Sequence, residues 1–413
     1  MCAGLVLTLM TAGCEPDTDP PEPPVATTSP QPMGSTFRFG VHGEPATLDP
    51  YSPNASDLTW HLVRPVYRSV FRFAPDGSPV ADLAGDVRQT GSGAVISLRR
   101  VTWSNGDRVM PKDVALSLTR SIEAGRLRGV TGARVDGDAA VRVEGRADDW
   151  ATLLAQGSLV LPGGRADLEM ASGPLRIRSR RAGLQVVYER NPEWAGKRTR
   201  TKNIVVQFVQ SPDVMFDLLE NRRLDGAAPP SLVNLEERVT ALGLESAAAL
   251  GTERVFIDLE GSDLTTAERT FIANTIDRPA MQEGFVRDTG ELDGSLPEGS
   301  RSKPLTELVL AAPGGDELLV LIQRVAQERL KAVGVPVDLV VTDPRTFYSE
   351  WAVDDPFDLA VRRTFGEIDG ARAIRLFRVE TAIAYRPGTE GLAVNPSLDG
   401  PLWNVEEWYV KPQ

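Results

Sequence analysis

Cysteine and histidine are almost missing from this chain, which has 2 of each in 413 residues. So few thiol and imidazole groups fall short of a zinc centre, which draws its ligands from clustered Cys, His and carboxylates. They also leave little from which to build a nucleophile–base pair, so no catalytic residue is expected and the chain does not read as an enzyme. No run approaches the roughly 18 apolar residues of a membrane-spanning helix. Positive charge is in deficit, with 45 basic against 57 acidic side chains and a net charge of -12. A protein that grips nucleic acid needs clustered cations to neutralise phosphate, so that class is disfavoured. What is present is ordinary for a folded protein: 41% hydrophobic and 25% charged residues exclude wholesale disorder. The length allows about two or three domains with proper cores.

Both cysteines, Cys2 and Cys14, precede the part of the chain that is patterned to fold. They flank the apolar stretch Ala3 to Met10, which runs into Thr11-Ala12-Gly13-Cys14. A short apolar run ending in small residues has the form of a secretory signal. Thr-Ala-Gly-Cys resembles the lipobox of bacterial lipoproteins, in which the cysteine becomes the lipidated first residue. On that reading residues 1–14 are a lipoprotein signal peptide and Cys14 is the lipid-attachment site. The alternative is an ordinary cleaved signal with an incidental cysteine. Residues 15–35 carry Pro16, Pro20, Pro21, Pro23, Pro24, Pro30 and Pro32 and almost nothing apolar. Such a segment cannot bury enough surface to fold, and proline stiffens it, so it reads as a disordered spacer. With Cys14 acylated no thiol is left for a disulfide, and several acyl chains together give stable anchoring.

From Thr36 onward strands alternate with helices. Phe37 to Val41 alternates apolar and polar residues and predicts a first strand. Turn signals follow at Pro75-Asp76-Gly77, Gly91-Ser92-Gly93 and Ser104-Asn105-Gly106. Pro111 opens a predicted helix to about Glu123, with Val114, Leu118 and Ile122 on one face. Ser211-Pro212-Asp213 is a second helix start, with a capping serine and an acid in the first turn. Leu305 to Ala311 reads as a strand, Asp316 to Val333 as an amphipathic helix stopped by Gly334, and Val335 to Val341 as a strand. This strand–helix–strand unit predicts two parallel strands, and Phe357 to Val361 should join their sheet. Arg176, Arg178, Arg180 and Arg181 alternate with apolar neighbours, as in a half-exposed strand. Trp103, Trp194, Trp351, Trp403 and Trp408 read as core residues ahead of stacking platforms, and His42 and His61 as surface or core residues. The chain is thus mixed α/β with open sheets and no repeat of solenoid length.

Six motifs stand in a telling order. They are Phe39-Gly40-Val41 running to Thr47-Leu48-Asp49-Pro50; Val66-Tyr67 to Asp76-Gly77; and Ile96-Ser97-Leu98 with Trp103-Ser104-Asn105-Gly106 and Asp113-Val114. Gly173-Pro174-Leu175, Arg190-Asn191-Pro192-Glu193-Trp194 and Ile276-Asp277-Arg278 complete the series. Together they resemble the family 5 extracellular solute-binding proteins, the oligopeptide, dipeptide and nickel receptors of ABC importers. The resemblance implies a two-lobed periplasmic-binding-protein-like fold of type II (peptide-receptor-like), with an extra subdomain in lobe one. Lobe one would hold residues 36–247, completed by 384–413, and lobe two residues 248–383, with hinges near Val255 to Leu259 and Ala382 to Tyr385. Relatives have more chain between the positions of Arg372 and Ile383, so lobe two reads as trimmed.

By the same resemblance, the stretch after Asp49-Pro50 contacts ligand, which points to Asn54 and Ser56. An acid of the second lobe would hold a ligand's amino terminus; ungapped counting from Asp358 places Glu367 there, with Phe365 and Asp369 adjacent. The alternatives are a solvated loop at 54–56 and an exposed turn at 366–370. The implied function is a substrate-binding lipoprotein, a monomer anchored outside the cytoplasm. It would capture a peptide-like or small organic solute by lobe closure and deliver it to an ABC transporter permease. No metal and no cofactor are expected. The competing reading is a receptor scaffold that has become a surface adaptor or sensor without solute transport.

Overall fold

The computed structural model describes residues 36–127, 129–230, 234–259, 262–285, 291–292, 294–295, 298–304, 306–314, 316–342, 347, 357–364, 368 and 372–411. Cys14, Phe365, Glu367, Asp369 and Trp351 lie outside them, as does the whole proposed signal and linker.

The described residues open with β1 (Thr36–His42), whose Phe37, Phe39 and Val41 are all buried. Both phenylalanines pack on the indole of Trp408, with ring centres 5.2 and 4.8 Å away, so the returning tail closes over the first strand. Helix α1 (Asp57–Val63) follows, with a capping box between Ser56 and Thr59. Next come β2 (Phe71–Phe73) and β3 (Pro79–Ala81), a hairpin around the predicted Pro75-Asp76-Gly77 turn. Then β4 (Ala84–Thr90), β5 (Gly93–Leu98), α2 (Pro111–Glu123), β6 (Val130–Val135), β7 (Ala140–Gly145) and α3 (Trp150–Ala155) build a separate four-stranded sheet of order β4-β5-β7-β6. This is the extra subdomain of lobe one. Helix α2 has the predicted bounds: Val114 and Leu118 are buried on its inner face, and Asp113 accepts the Met110 N–H at 2.9 Å to cap its start.

A long hairpin, β8 (Leu175–Arg181) with β9 (Gln185–Arg190), leads into β10 (Asn203–Val209), which pairs β1 in parallel. The strand is half-exposed as the alternation predicts: Arg178 and Arg181 are exposed, while Arg176 pairs with Glu189 at 2.8 Å and Arg180 with Glu44 at 3.1 Å. After α4 (Pro212–Glu220) come β11 (Gly226–Ala228) and α5 (Leu235–Ala241). Helix α4 starts where Ser211-Pro212 predicts, but the Ser211 side chain makes no capping bond; proline at the first position fixes the backbone by itself.

Strand β12 (Glu245–Asp258) then carries the chain into a second region with α6 (Thr266–Thr275), α7 (Arg278–Phe285), β13 (Glu291–Leu292), β14 (Leu308–Pro313), α8 (Glu317–Ala332), β15 (Val337–Thr342) and β16 (Leu359–Thr364). Strand β14 lies two to three residues later than the apolar run suggests. It pairs β15 and β16 in parallel, as the strand–helix–strand pattern predicts. Within this unit Asp316 caps α8, and the buried Gln323 amide donates to the carbonyls of Leu310 and Val340 at 2.7 and 2.8 Å. Strand β17 (Ala373–Tyr385) returns the chain, and β18 (Thr389–Glu390) with β19 (Tyr409–Val410) ends it.

The large sheet is 11-stranded, in the order β15-β14-β16-β12-β17-β11-β1-β10-β9-β8 with β13 beside β17. Two main hydrophobic cores lie along it. One is built on β1, β9, β10, the extra subdomain and the tail around Trp408; the other on α8, β14, β16 and the distal halves of β12 and β17. This is the two-lobed α/β arrangement. The chain passes between the cores twice, through β12 and β17, which are hydrogen-bonded to each other from Glu245↔Tyr385 to Asp258↔Ala373. The expected hinge at Val255 to Leu259 is therefore misplaced: Val255, Ile257 and Leu259 are buried inside the second core. The crossing lies earlier, at the register shift between Leu250 and Arg254. The interval from Arg372 to Ile383 is occupied by β17. Among the described residues no helix is long and apolar enough to cross a membrane.

Candidate functional site

Parallel strands end in unpaired backbone groups and loops, so open α/β sheets present their binding crevices at carboxyl ends. Here the two groups of parallel strands point such ends at one cleft of about 460 Å³. From the first lobe come His42 at the end of β1, the loop from Gly43 to Ala46, Ala228 at the end of β11, residues 54–58, His61 and Arg126. From the second come Pro313 at the end of β14 and Gly314 after it, Asp316, Glu253 and Phe256 of β12, and Arg362 to Thr364 at the end of β16. Glu380, Thr381 and Ala382 of β17 form the floor between the lobes.

Asn54 and Ser56 both line this cleft. Asn54 is exposed, whereas the Ser56 hydroxyl accepts the Thr59 N–H in the α1 capping box. The two are brought together with Asp57 and His61, next to the first strand.

The charged groups at the cleft are mostly tied to each other. Arg363 reaches Asp316 at 2.8 Å and Glu253 at 3.4 Å, while Arg362 reaches Asp258 at 2.7 Å. On the opposite wall Glu44 accepts from Arg180 and from the Gly183 N–H at 2.8 Å. Burial pushes the Glu253 carboxyl above its ordinary range; Arg363 opposes this, and Asp316 and Asp57 reinforce it. His61 is lowered to about 4, first by burial and then by Arg363, against the pull of Asp57, so its ring is neutral at physiological pH. Thus Asp57 and His61 of one lobe sense Arg363 and Glu253 of the other. Among the described residues no group of three or more His, Cys, Asp or Glu stands at metal-holding spacing.

None of Arg126, Glu253, Arg362, Arg363 or Glu380 carries a local sequence signature. Glu253, Arg362, Arg363 and Glu380 reach the cleft through long-range strand pairing and Arg126 from the turn after α2; only Arg362 and Arg363, near the end of β16, stood where a predicted strand end could have pointed to them.

A profile of the bacterial extracellular solute-binding proteins, family 5, matches residues 78–303, more than half of the chain. The chain belongs to this family. Among solved structures, the oligopeptide-binding protein AppA of Bacillus subtilis, in complex with a nonapeptide, is similar with a TM-score of 0.77 and 14% identity. That likeness covers 93% of this chain and 100% of AppA. The protein AgaA of A. tumefaciens R10, in complex with agropinic acid, gives a TM-score of 0.76 at 14% identity over 92% and 99% of the two chains. NikZ of Campylobacter jejuni, in complex with Ni(L-His), gives 0.74 at 15% over 91% and 99%. These likenesses are in fold. A curated relative, the peptidoglycan-binding protein YepA of Agrobacterium fabrum, is 32% identical over 117 residues, which is 24% of this chain and 19% of YepA.

Proposed function

We propose that this family 5 protein is the substrate-binding lipoprotein of an ABC importer, and that it closes its lobes on a peptide-like or other small organic solute. The observation that carries the reading is the cleft walled by both lobes and floored by β17. In such an arrangement a guest contacts both walls only when the lobes approach, so binding favours the closed form by its differential affinity. A cleft of about 460 Å³ fits a compact solute. On this reading lobe one holds residues 36–247 and 384–413 and lobe two residues 248–383. Cys14 is the lipidated residue that anchors the chain outside the cytoplasm, residues 15–35 are its spacer, and a permease is its partner. Asn54 and Ser56 contact the solute from lobe one; Phe365, Glu367 and Asp369 are the matching proposal from lobe two.

The test begins with native mass spectrometry of the purified protein to identify the small molecule it carries. After that molecule is removed and added back, X-ray scattering should show the particle contract. Unchanged dimensions at saturation would count against closure and favour an adaptor without solute transport.

A further inference from the structure

Away from the cleft, beside the start of β1, the chain carries a run of cations: Lys197, Arg198, Arg200 and Lys202. All four are exposed, whereas the interleaved Thr199 and Thr201 are only 3% and 1% exposed. The half-buried Arg190 holds the run in this pose. It donates to the Thr199 hydroxyl at 2.9 Å and to the carbonyls of Arg200 and Thr201 at 2.9 and 3.1 Å. Thr201 donates in turn to the Trp408 carbonyl at 2.6 Å, so the returning tail backs the segment. Arg198, Arg200 and Lys202 face outward together, as alternate residues of an extended segment do. Two acids of the tail lie beside them. Glu407 is taken by Lys197 at 2.5 Å, and burial pushes the Glu406 carboxyl above its ordinary range. The Arg200 guanidinium lies over the ring of Tyr409, 4.5 Å from its centre. Among the described residues no carboxylate pairs with Arg198, Arg200 or Lys202. Uncompensated cations this close together run against the net charge of -12.

Their location says what they meet. Asn203, the residue after Lys202, pairs in parallel with Thr36 at the start of β1. Thr36 is also where residues 1–35 join the fold, so the run stands beside the root of the proposed tether. Even fully extended at ~3.1 Å per residue, residues 15–35 span at most about 65 Å, which confines this end of the molecule near a membrane that holds Cys14. An anionic membrane surface attracts nearby Lys and Arg, each strengthening binding about fivefold, and its field fades within about 8–10 Å. This base feels that field, while the acidic bulk of the chain is screened from it. We propose that Arg198, Arg200 and Lys202 form a docking surface for anionic phospholipid headgroups, on which the anchored receptor stands. This rests on Cys14 being the anchor. Lobe one is then lowermost, and the cleft, at the other end of β1, is held about 20 Å above the surface. Delivery of solute to a permease in the same membrane competes with this contact.

The experiment uses the full-length chain, taken up in detergent and reconstituted in low salt. The vesicles are phosphatidylcholine alone or an equal mixture with phosphatidylglycerol. Acetylation by acetic anhydride is followed residue by residue by mass spectrometry. Phosphatidylglycerol should slow Lys202 about threefold or more, because the negative surface potential raises the proton affinity of its amine. Lys331, near the end of α8 and across the cleft in lobe two, should react at one rate on both vesicles. High salt should erase the difference at Lys202. This arm uses the unaltered protein and does not depend on a variant folding. Arg198→Gln with Arg200→Gln should return Lys202 to its rate on phosphatidylcholine. Equal rates at Lys202 on the two vesicles, equal slowing at Lys331, or slowing that survives high salt or the double variant would overturn the inference. Slowing by soluble polyphosphate with the mixed vesicles inert would assign the run to a polyanion other than lipid and overturn it as well. Flotation reads the anchor separately, since a lipidated chain rises with phosphatidylcholine vesicles in high salt. A chain that stays behind sinks the anchor alone, and the run is then judged by flotation with phosphatidylglycerol in low salt. There the unaltered chain should rise, and Arg198→Gln, Arg200→Gln and Lys202→Gln together should weaken binding about a hundredfold. No flotation on phosphatidylglycerol would sink the docking surface too.

Discussion

At the scale of single residues, His61 links the cleft to stability. Its folded pKa of about 4 lies below the ordinary value of 6.5. Above pH 6.5 the ring is neutral whether the chain is folded or not. Between 6.5 and about 4 the unfolded chain takes up a proton that the folded ring refuses, so stability falls as pH falls. Below about 4 both states are protonated and this contribution levels off. Glu253, raised by burial, has the opposite sign and gains stability as pH falls, so the comparison must be made against a variant. His61→Asn should lose about 1–3 kcal/mol less than the parent between pH 7 and pH 4, read from urea midpoints. Superimposable pH profiles would refute the assignment.

The residues that made the family legible are structural, which is why they form local motifs. Asn191 of the Arg-Asn-Pro turn donates to the Gly173 carbonyl at 2.8 Å, binding two motifs together. Asp49 of Thr-Leu-Asp-Pro pairs with Arg120 of α2 at 2.9 Å. Arg278 of Ile-Asp-Arg is buried at the start of α7 and donates to the Leu376 carbonyl of β17 at 3.1 Å. Arg126 and Arg363 belong to no such motif: Arg363 reaches the cleft through the pairing of β16, and Arg126 from the turn after α2.

At the scale of elements, helices with a clear apolar stripe were readable nearly to the residue, as α2 and α8 show. Strand ends were less so, because an apolar run does not say where its ladder begins; β14 is the example. The crossing is hidden for the same reason, since β12 is apolar in its buried half and its break is marked by a single glycine. Gly251 sits at that break, where an added Cβ would meet the Pro396 carbonyl oxygen at 2.3 Å. Gly251→Ala should therefore cost about 1–3 kcal/mol. Gly284, exposed within α7 with nothing near its missing Cβ, is the control. Gly284→Ala should stabilise by about 0.5–1 kcal/mol. A neutral Gly251→Ala in chemical denaturation would show that the tail yields at this contact.

At the scale of the molecule, two cores joined by a pair of strands imply two cooperative units. Leu319 is fully buried in the second core and remote from the first. Leu319→Ala should lower the stability of the second unit by about 2–5 kcal/mol. Hydrogen exchange should then rise in α8, β14 and β15 while protection in β1 and β10 stays unchanged. A uniform rise throughout would mean that the two lobes unfold as one.

The doubled crossing also limits how this molecule can move. Loose threads would let the halves drift in any direction. A cross-linked ribbon such as β12 with β17 resists sliding and stretching but yields to torsion, like a leaf spring. Any change in the angle between the halves must therefore be borne by this ribbon, since both crossings between the two cores are its strands.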